Sequence, residues 1–262
     1  SVTQLIDSPR VLALRKIHAA ERTQDISEMV WMLMGQAMHH ILETAKVDGT
    51  VTEERLHIKI KGWHVSGQVD TQIIEPDGVI VGDYKTCSVW SVIYGKDSWE
   101  EQLNLYAYLI QAVKGLRVKE LQIHAICRDW RKADTFKANY PKSPLVTVDI
   151  PLWTVLRQEQ FLLSRLHEHA EADTTRSLGG ELPECTPAEQ WRKEPKFAVM
   201  KPGGKRARRV FDTQKEALDF ADAQPDSSKV EVVERKPDPV RCLNDYCGVA
   251  NFCLQRKKEQ GE

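Results

Sequence analysis

The sequence predicts an α/β fold: a core with the element order αβββαβα, followed by a small segment of different character. Two stretches in the first 172 residues place apolar residues at helical spacing, and three strand-like stretches lie between them. A fourth strand pattern and a long helical pattern complete the core. At 262 residues, the chain is long enough to bury a core without obligatory disulfides or metals.

The first helix and the strands after it account for the αβββ part of this order. A helix is predicted over residues 27–45, where the apolar residues recur every three or four positions: Val30, Leu33, Met34, Ala37 and Ile41. Apolar and polar residues then alternate over residues 56–61 and 63–73, which is typical of half-buried strands. A Pro-Asp-Gly turn at residues 76–78 leads into a third strand that starts at Val79. These short connections predict an antiparallel meander.

The remaining elements divide the chain into three parts. A second helix is predicted over residues 98–113, a fourth strand over 121–127, and a third helix from Pro151 to about residue 172. Two glycines at 179–180 indicate a linker, and the patterns beyond them predict a ββαβ unit. The predicted domains are a core over 1–178, a small basic α+β insert over 179–237, and a C-terminal cysteine segment over 238–262 that packs back on the core.

Composition excludes several classes of protein. The 37 basic and 38 acidic residues nearly cancel, so bulk charge alone does not hold nucleic acid. No apolar run approaches the roughly 18 residues that span a bilayer, and no membrane partner is expected. The six cysteines are scattered unevenly and no signal segment opens the given residues, which favours a reduced cytoplasmic setting. This cytoplasm would be that of a bacterium, or of a host cell if the chain is encoded by a phage.

Carboxylates and a lysine cluster on the second and third strands. Asp83 and Lys85 are two residues apart on one strand, so both side chains leave the same face. If the strands pair through the short turn, Asp70 comes near Asp83, and two carboxylates with a lysine suit Mg²⁺ or Mn²⁺. An ordinary charged hairpin is the alternative. The position of Asp83 directly after an apolar strand favours the functional interpretation, because an idle charge is costly there.

Four short motifs in a fixed order carry a family resemblance. They are Gly35–His39 (GQAMH), Gly67–Asp70 (GQVD), Gly82–Thr86 (GDYKT) and Gln102–Tyr106 (QLNLY). Their order and spacing resemble the RecB-like branch of the PD-(D/E)xK nucleases, whose restriction-endonuclease-like core has the order αβββαβ. The position of the family's nominal proline is Val69 here, and that residue contributes no ligand.

The resemblance implies a role for each matched residue. His39 would be an additional metal ligand, Asp70 and Asp83 the main carboxylate ligands, and the backbone carbonyl of Tyr84 a further one. Lys85 would position the attacking water, Gln102 would orient the site, and Tyr106 would contact the nucleic-acid backbone.

The implied activity is that of a Mg²⁺- or Mn²⁺-dependent DNA exonuclease. It would hydrolyse phosphodiester bonds of linear DNA during recombination, repair or end processing. In this respect the chain resembles the recombination nucleases of bacteria and phages. A recombination partner protein and an oligomer are compatible with this interpretation. Two alternatives remain: a catalytically inactive nucleic-acid-binding module with a structural metal, and a metal-dependent hydrolase of another phosphoester.

Three cysteines near the C-terminus predict a second metal site. The gaps of five and six positions between Cys242, Cys247 and Cys253 are wider than those of zinc fingers, and the trio resembles iron–sulfur RecB-like nucleases. That resemblance implies a fourth cysteine before a Pro-Arg pair, where this chain has Ser8. Cys185 is therefore the fourth candidate. The predicted occupant is a [4Fe–4S] cluster, with Zn²⁺ or four unliganded thiols as alternatives.

A basic stretch lies in the predicted insert. Residues 192–209 contain eight lysines and arginines against one acidic residue, and two adjacent glycines allow a close backbone approach to phosphate. A sequence-independent contact with the DNA backbone is predicted, and a solvated charged surface is the alternative. The predicted contact residues are Lys201, Lys205, Arg206, Arg208 and Arg209.

Overall fold

A computed structural model describes most of the chain. The described residues are 1–23, 25–44, 48–224, 229–244 and 246–260. Ala45, at the end of the predicted first helix, and three positions of the predicted cysteine segment, 245, 261 and 262, lie outside the described residues. The chain divides into two compact units: one comprises Ser1–Leu12 and Thr23–Glu181, and the other comprises Ala13–Arg22 and Leu182–Glu262.

The first unit contains five strands and most of the helices. The strands are β1 (Thr50–Ile60), β2 (Trp63–Glu75), β3 (Gly78–Cys87), β4 (Val118–Cys127) and β5 (Leu145–Ile150). The helices are α1 (Val2–Leu5), α3 (Val30–Glu43), α4 (Val89–Tyr94), α5 (Asp97–Lys114) and α6 (Val155–Ser177), with 3₁₀ turns at Ile26–Met29 and Lys132–Asp134. Helix α2 (Pro9–Ile17) contributes residues to both units.

The five strands form one sheet in sequential order, which makes the first unit a mixed α/β structure. The first three strands pair antiparallel, as the sequence predicts. Strand β4 runs parallel to β3, because α5 crosses over between them, and β5 returns antiparallel at the edge. Neither β5 nor the short helix α4 was predicted from the sequence.

Helix α5 packs on the sheet and carries site residues with it. It ends at Lys114 and is followed by Gly115, whose φ of 67° is the left-handed conformation that favours glycine after a helix C-terminus. Its buried side chains, among them Leu103, Leu109 and Ile110, belong to the main core of the unit. The sheet side of this core includes Val81 and Ile123, so the helix is held firmly over β3 and β4.

Helix α3 differs from what its pattern suggests. It forms as predicted, and it contacts β3, but its apolar side chains are not buried. The exposed set includes the whole predicted stripe: Val30, Leu33, Met34, Ala37 and Ile41. The periodicity therefore indicated the helix correctly without indicating a core face.

The second unit contains a small three-stranded sheet. Its elements are β6 (Lys196–Met200), β7 (Ala207–Phe211), α7 (Gln214–Asp222), β8 (Glu231–Arg235), α8 (Val240–Leu243) and α9 (Leu254–Gln260), with a 3₁₀ turn at Ala250–Phe252. Strand β6 lies between β7 and β8 and is antiparallel to both. Helix α7 begins with a capping box between Thr213 and Glu216 and covers Val199 with Ala217 and Ala221. Within the described part of the chain, no helix combines the length and the apolar character that crossing a membrane requires.

Candidate metal centre

Strands β2 and β3 separate where the predicted site lies. Pairing between β2 and β3 ends at Thr71 and Gly82, just before Asp70 and Asp83 are reached. Beyond that point, the backbone N–H of Tyr84 donates to Asp70 Oδ2 at 2.8 Å. The Asp70 carboxylate thus accepts the hydrogen bond that a backbone carbonyl of a paired strand would otherwise accept. This contact fixes Asp70 against β3 although the two strands have diverged.

Three possible metal ligands, one of them Asp70, lie close together. Nδ1 of His39 lies 3.5 Å from Oε1 of Glu53 and 3.5 Å from Oδ2 of Asp70. The Nε2 atom of His39 is 3.0 Å from the carbonyl oxygen of Tyr84, which orients the ring. Among the described residues, His39, Glu53 and Asp70 are the only set of three or more His, Cys, Asp or Glu residues with ligand atoms all within 4.8 Å of one another.

Glu53 is the member of this group that was not predicted from the sequence. It lies on β1 opposite Asp70, since Thr52 pairs with Thr71 and Glu54 with Val69. Its φ of 51° is left-handed, which costs a residue with a side chain on the order of 1 kcal/mol and is common at functional sites. The tight hairpin after Ile60 was the available signal, because counting back along it places residue 53 across from residue 70.

A second group of polar residues adjoins the first. The Nε2 of Gln102 donates to Asp83 Oδ1 at 3.0 Å and to the Tyr106 hydroxyl at 2.8 Å. The ammonium of Lys85 donates to Gln102 Oε1 at 3.2 Å and lies 2.5 Å from Asp83 Oδ2. Gln102 therefore joins the carboxylate, the ammonium and the phenol into one network on β3 and α5.

The electrostatics of these two groups favour a bound cation. Burial, reinforced by the nearby Asp83 carboxylate, raises the pKa of Asp70 to about 7. Asp83 is 1% exposed, and within the described residues its Oδ2 faces the Lys85 ammonium at 2.5 Å. Two neighbouring buried carboxylates repel each other, and an additional positive charge relieves that repulsion.

The donor set of the first group suits a hard divalent cation. Ligand atoms around an octahedral Mg²⁺, each about 2.1 Å from the ion, lie roughly 3 Å apart. The 3.5 Å separations at His39 are close to that value and are long for strong hydrogen bonds. His39, Glu53 and Asp70 could therefore hold a metal ion.

This grouping differs in part from the ligand set expected from the sequence. His39 and Asp70 are together as expected, but the third converging ligand is Glu53. The Asp83 carboxylate faces Gln102 and Lys85, and the Tyr84 carbonyl accepts from His39. The participation of Asp83 and of the Tyr84 carbonyl as metal ligands remains a prediction. Asp83 is close enough to the first group for its charge to raise the pKa of Asp70.

Tyr106 belongs to the main core of the first unit. It is 3% exposed, and burial, together with the Asp83 charge, raises the pKa of its hydroxyl. Its ring fills the space beside Gly67, where a Cβ atom would approach it to 2.8 Å. In this structure, Tyr106 holds Gln102 in place, and a contact with a nucleic-acid backbone remains a prediction.

The two groups line one open cleft of about 720 Å³. Helix α3 contributes Trp31 and Met32 to its wall in addition to His39. The cleft therefore combines the acidic centre and Lys85 with exposed apolar side chains.

The four predicted cysteine ligands all lie in the second unit. Cys242, Cys247 and Cys253 are buried, and burial together with the proximity of Cys247 and Cys253 raises the pKa of the Cys242 thiol. The side chain of Gln255 accepts from the backbone N–H of Cys185 at 2.8 Å and donates to its carbonyl at 3.1 Å. These bonds tie Cys185 to the helix that begins directly after Cys253.

The predicted basic contact residues lie on and before β7. Lys201, Lys205, Arg206, Arg208 and Arg209 are all exposed. The turn between β6 and β7 contains Gly203 with a φ of 69°, a left-handed conformation. The guanidinium of Arg209 lies over the rings of Phe211 and Phe220, 5.0 and 5.6 Å from their centroids, which holds this charge on the surface of the small sheet.

Comparisons with known proteins identify no family for this chain. No protein-family model matches it, and no curated protein matches it. Among solved structures, SSO0001 is 17% identical with a TM-score of 0.45, and the match covers 63% of this chain and 74% of that one. A protein of Eubacterium rectale named "putative exonuclease" is 9% identical with a TM-score of 0.31, and the match covers 66% of this chain and 64% of that one.

Proposed function

We propose that this chain is a Mg²⁺- or Mn²⁺-dependent deoxyribonuclease that hydrolyses linear DNA from its ends. The observation that supports this proposal best is the convergence of His39, Glu53 and Asp70 beside the Asp83–Lys85–Gln102 network. A carboxylate-rich centre next to a positioned ammonium is the arrangement that phosphodiester hydrolysis needs, because the reaction requires an activated water and stabilisation of developing negative charge.

The residues of the first group would hold the cation. When bound, the ion supplies Lewis acidity at the scissile phosphate. His39 presents Nδ1 to this position because its Nε2 is engaged by the Tyr84 carbonyl, and Asp70 is fixed by the Tyr84 N–H. The site is thus oriented by backbone groups of β3 before any ligand arrives.

The residues of the second group would act on the water and the phosphate. Gln102 and Asp83 hold the Lys85 ammonium at the edge of the cleft, where it can orient an attacking water by hydrogen bonding. The same positive charge would stabilise the additional negative charge that develops on the phosphate oxygens. Tyr106 would keep Gln102 in position and exclude water behind it.

Hydrolysis of labelled DNA tests this proposal. Linear and covalently closed circular DNA are incubated with Mg²⁺, Mn²⁺ or EDTA, using the native protein, Asp83→Asn and Asp77→Asn. Asp77 is the matched control, because it is an exposed carboxylate in the turn between the same two strands. We expect linear DNA to be lost only when a metal is present, and circular DNA to stay intact. Asp83→Asn should react at least about 100-fold more slowly than the native protein, and Asp77→Asn should react at the native rate.

Two outcomes would overturn the proposal, and a third would reject its exonuclease part. If linear DNA survives with both metals, the chain is not such a nuclease, and DNA binding without cleavage would favour an inactive binding module. If Asp83→Asn cleaves DNA as fast as the native protein, the chemistry does not occur at this site. Cleavage of the circles would retain the nuclease and reject the exonuclease mode.

The second unit is proposed to bind DNA and a cluster. Its exposed basic residues around β7 would contact DNA phosphates without recognising a base sequence.

A [4Fe–4S] cluster would be held by the four cysteines of the second unit, with Zn²⁺ as the alternative occupant. These cysteines are Cys185, Cys242, Cys247 and Cys253. This proposal rests on the burial of three of the thiols and on the link from Gln255 to Cys185; in the described part of the chain, no three of these sulfur atoms lie within 4.8 Å of one another. The predicted boundaries at 178/179 and 237/238 remain part of this proposal.

A further inference from the structure

Exposed aromatic side chains lie beyond the carboxyl ends of β3 and β4. Trp31 is 57% exposed, and the guanidinium carbon of Arg128 lies 4.3 Å from the centroid of its ring. On α4, Trp90 and Tyr94 are 53% and 80% exposed, and their rings stack with centroids 6.0 Å apart and an angle of 16° between their planes. Single exposed apolar side chains are ordinary on a protein surface, but clustered exposed rings are typical of binding surfaces.

Hydrogen bonds hold Arg128, the partner of the Trp31 ring, and helix α4 at the same end of the sheet. The N–H of Arg128 donates to the carbonyl of Cys87 at 3.0 Å. The next residue, Asp129, accepts from Ser88 Oγ at 2.6 Å and from the N–H of Val89 at 2.7 Å, which are the residues that start α4. The segment carrying Arg128 is thereby fixed to the helix carrying Trp90 and Tyr94.

One of these aromatic side chains, Trp31, lines the cleft of the candidate metal centre. Trp31 lines the same cleft as His39, Asp70 and Lys85, and α4 starts four residues after Lys85. A strand whose phosphate reaches the centre would pass Trp31. The Arg128 cation beside that ring complements the negative charge of such a strand.

We infer that Trp31 with Arg128, and Trp90 with Tyr94, form a stacking platform for unpaired nucleobases of a DNA strand that enters the cleft. The inference rests on the proposed function and adds the form of the substrate: single-stranded or frayed ends rather than intact duplex. Paired bases within a duplex hide their faces, whereas unpaired bases can stack on exposed rings. Stacking tolerates any base, which fits a nuclease that does not select a sequence.

Binding measured without hydrolysis tests this inference. Fluorescence anisotropy in EDTA gives the Kd of the full chain for three labelled probes: a (dT)₁₂ strand, the same backbone with abasic positions, and a blunt duplex. The variants are Trp31→Ala, Trp90→Ala and Tyr94→Ala, with Trp31→Phe as a conservative replacement. The control is Leu178→Ala, which removes an 81% exposed apolar side chain at the end of α6.

The expected results separate stacking from charge. Each alanine variant should raise the Kd for (dT)₁₂ roughly 5- to 150-fold, the range of one lost base–aromatic stack. The Kd for the abasic strand should change less than about twofold, since only phosphate contacts remain there. Trp31→Phe should retain most of the affinity, and Leu178→Ala should behave as the native protein.

The results that would overturn the inference are equally specific. They are an unchanged Kd for (dT)₁₂ in Trp31→Ala or in both α4 variants, an equal loss for base-bearing and abasic strands, or binding of the blunt duplex as tight as that of the single strand by the native protein. Cleavage of linear DNA together with any of these would reject the platform and leave the proposed function standing. Normal stacking-dependent binding without cleavage would reject the function and leave the platform.

Discussion

Replacing Asp70 by asparagine should make the metal-free protein more stable at pH 8. The native carboxylate is buried beside Asp83, and these surroundings raise its pKa to about 7. The folded state therefore binds more protons than the unfolded state between about pH 4 and 7, and the free energy of unfolding falls as the pH rises through this window. The asparagine side chain keeps the shape of the carboxylate and can still accept from the Tyr84 N–H, but it has no charge to bury.

The size of the effect follows from the pKa. The rise from 3.8 to about 7 corresponds to about 4 kcal/mol at pH 8, at 1.36 kcal/mol per unit. Part of this free energy comes from repulsion between Asp70 and Asp83, which involves both carboxylates. We therefore expect Asp70→Asn to gain about 2 to 4 kcal/mol in free energy of unfolding. For a unit of this size, the melting temperature would rise by roughly 4 to 16 °C.

Thermal unfolding in EDTA measures this gain at pH 8 and at pH 4.5. At pH 4.5 the native carboxyl is largely protonated in the fold, so the difference between variant and native protein should shrink to about a quarter. Asp77→Asn, the exposed control, should change the stability by less than about 1 kcal/mol at either pH. Saturating Mn²⁺ should stabilise the native protein by about 2.7 kcal/mol at 100 times its Kd, and should do much less for Asp70→Asn.

Two results would refute this reasoning. If Asp70→Asn is less stable than the native protein in EDTA at pH 8, the buried charge is not the dominant feature of the site. If its gain is as large at pH 4.5 as at pH 8, the effect does not come from ionisation of Asp70.

Three further predictions concern the metal ligand, the cysteines and the basic strand. Glu53→Gln should weaken Mn²⁺ binding at least about 10-fold in calorimetry while the fold is kept, and an unchanged affinity would remove Glu53 from the ligand set. Cys242→Ser should reduce the iron of anaerobically purified protein and its visible absorbance; zinc in colourless native protein would reject the cluster in favour of the alternative. Lys205→Ala with Arg206→Ala should reduce the salt dependence of DNA affinity by a slope of about 0.9 per lost phosphate contact. An unchanged slope would assign those two side chains to a solvated surface.

Local spacing was enough to predict the central pair of charges. Asp83 and Lys85, two residues apart on a strand, share a face in the structure, and Lys85 Nζ lies 2.5 Å from Asp83 Oδ2. Gln102 and Tyr106, one turn apart on α5, are likewise joined by a hydrogen bond. These relations depend only on the geometry of a single element, which the sequence pattern reveals.

Relations between elements were harder to predict. The contribution of Glu53 depends on the register of β1 against β2 and on a left-handed backbone at that residue, and the alternation of side chains reveals neither. The edge strand β5 was missed although Val146, Val148 and Ile150 alternate with more exposed residues. Its six residues are flanked by prolines, which made the segment resemble a loop.

The apolar residues of α3 show a different reason for a partial prediction. Helical periodicity indicates which residues share a face but not what covers that face. In this chain the pattern at Val30, Leu33 and Ile41 faces solvent, while Trp31 from the same helix lines the cleft. A stripe that would ordinarily indicate a core therefore lies beside a candidate binding surface.

The position of a bound metal ion tests the central claim most directly. Crystals soaked in Mn²⁺ and measured for anomalous scattering would locate the ion without assuming any activity. The proposed site requires a peak between His39 Nδ1 and the carboxylates of Glu53 and Asp70, at about 2.0 to 2.3 Å from its ligand atoms. A well-ordered crystal with no peak in the cleft, or with manganese bound only elsewhere, would contradict the account.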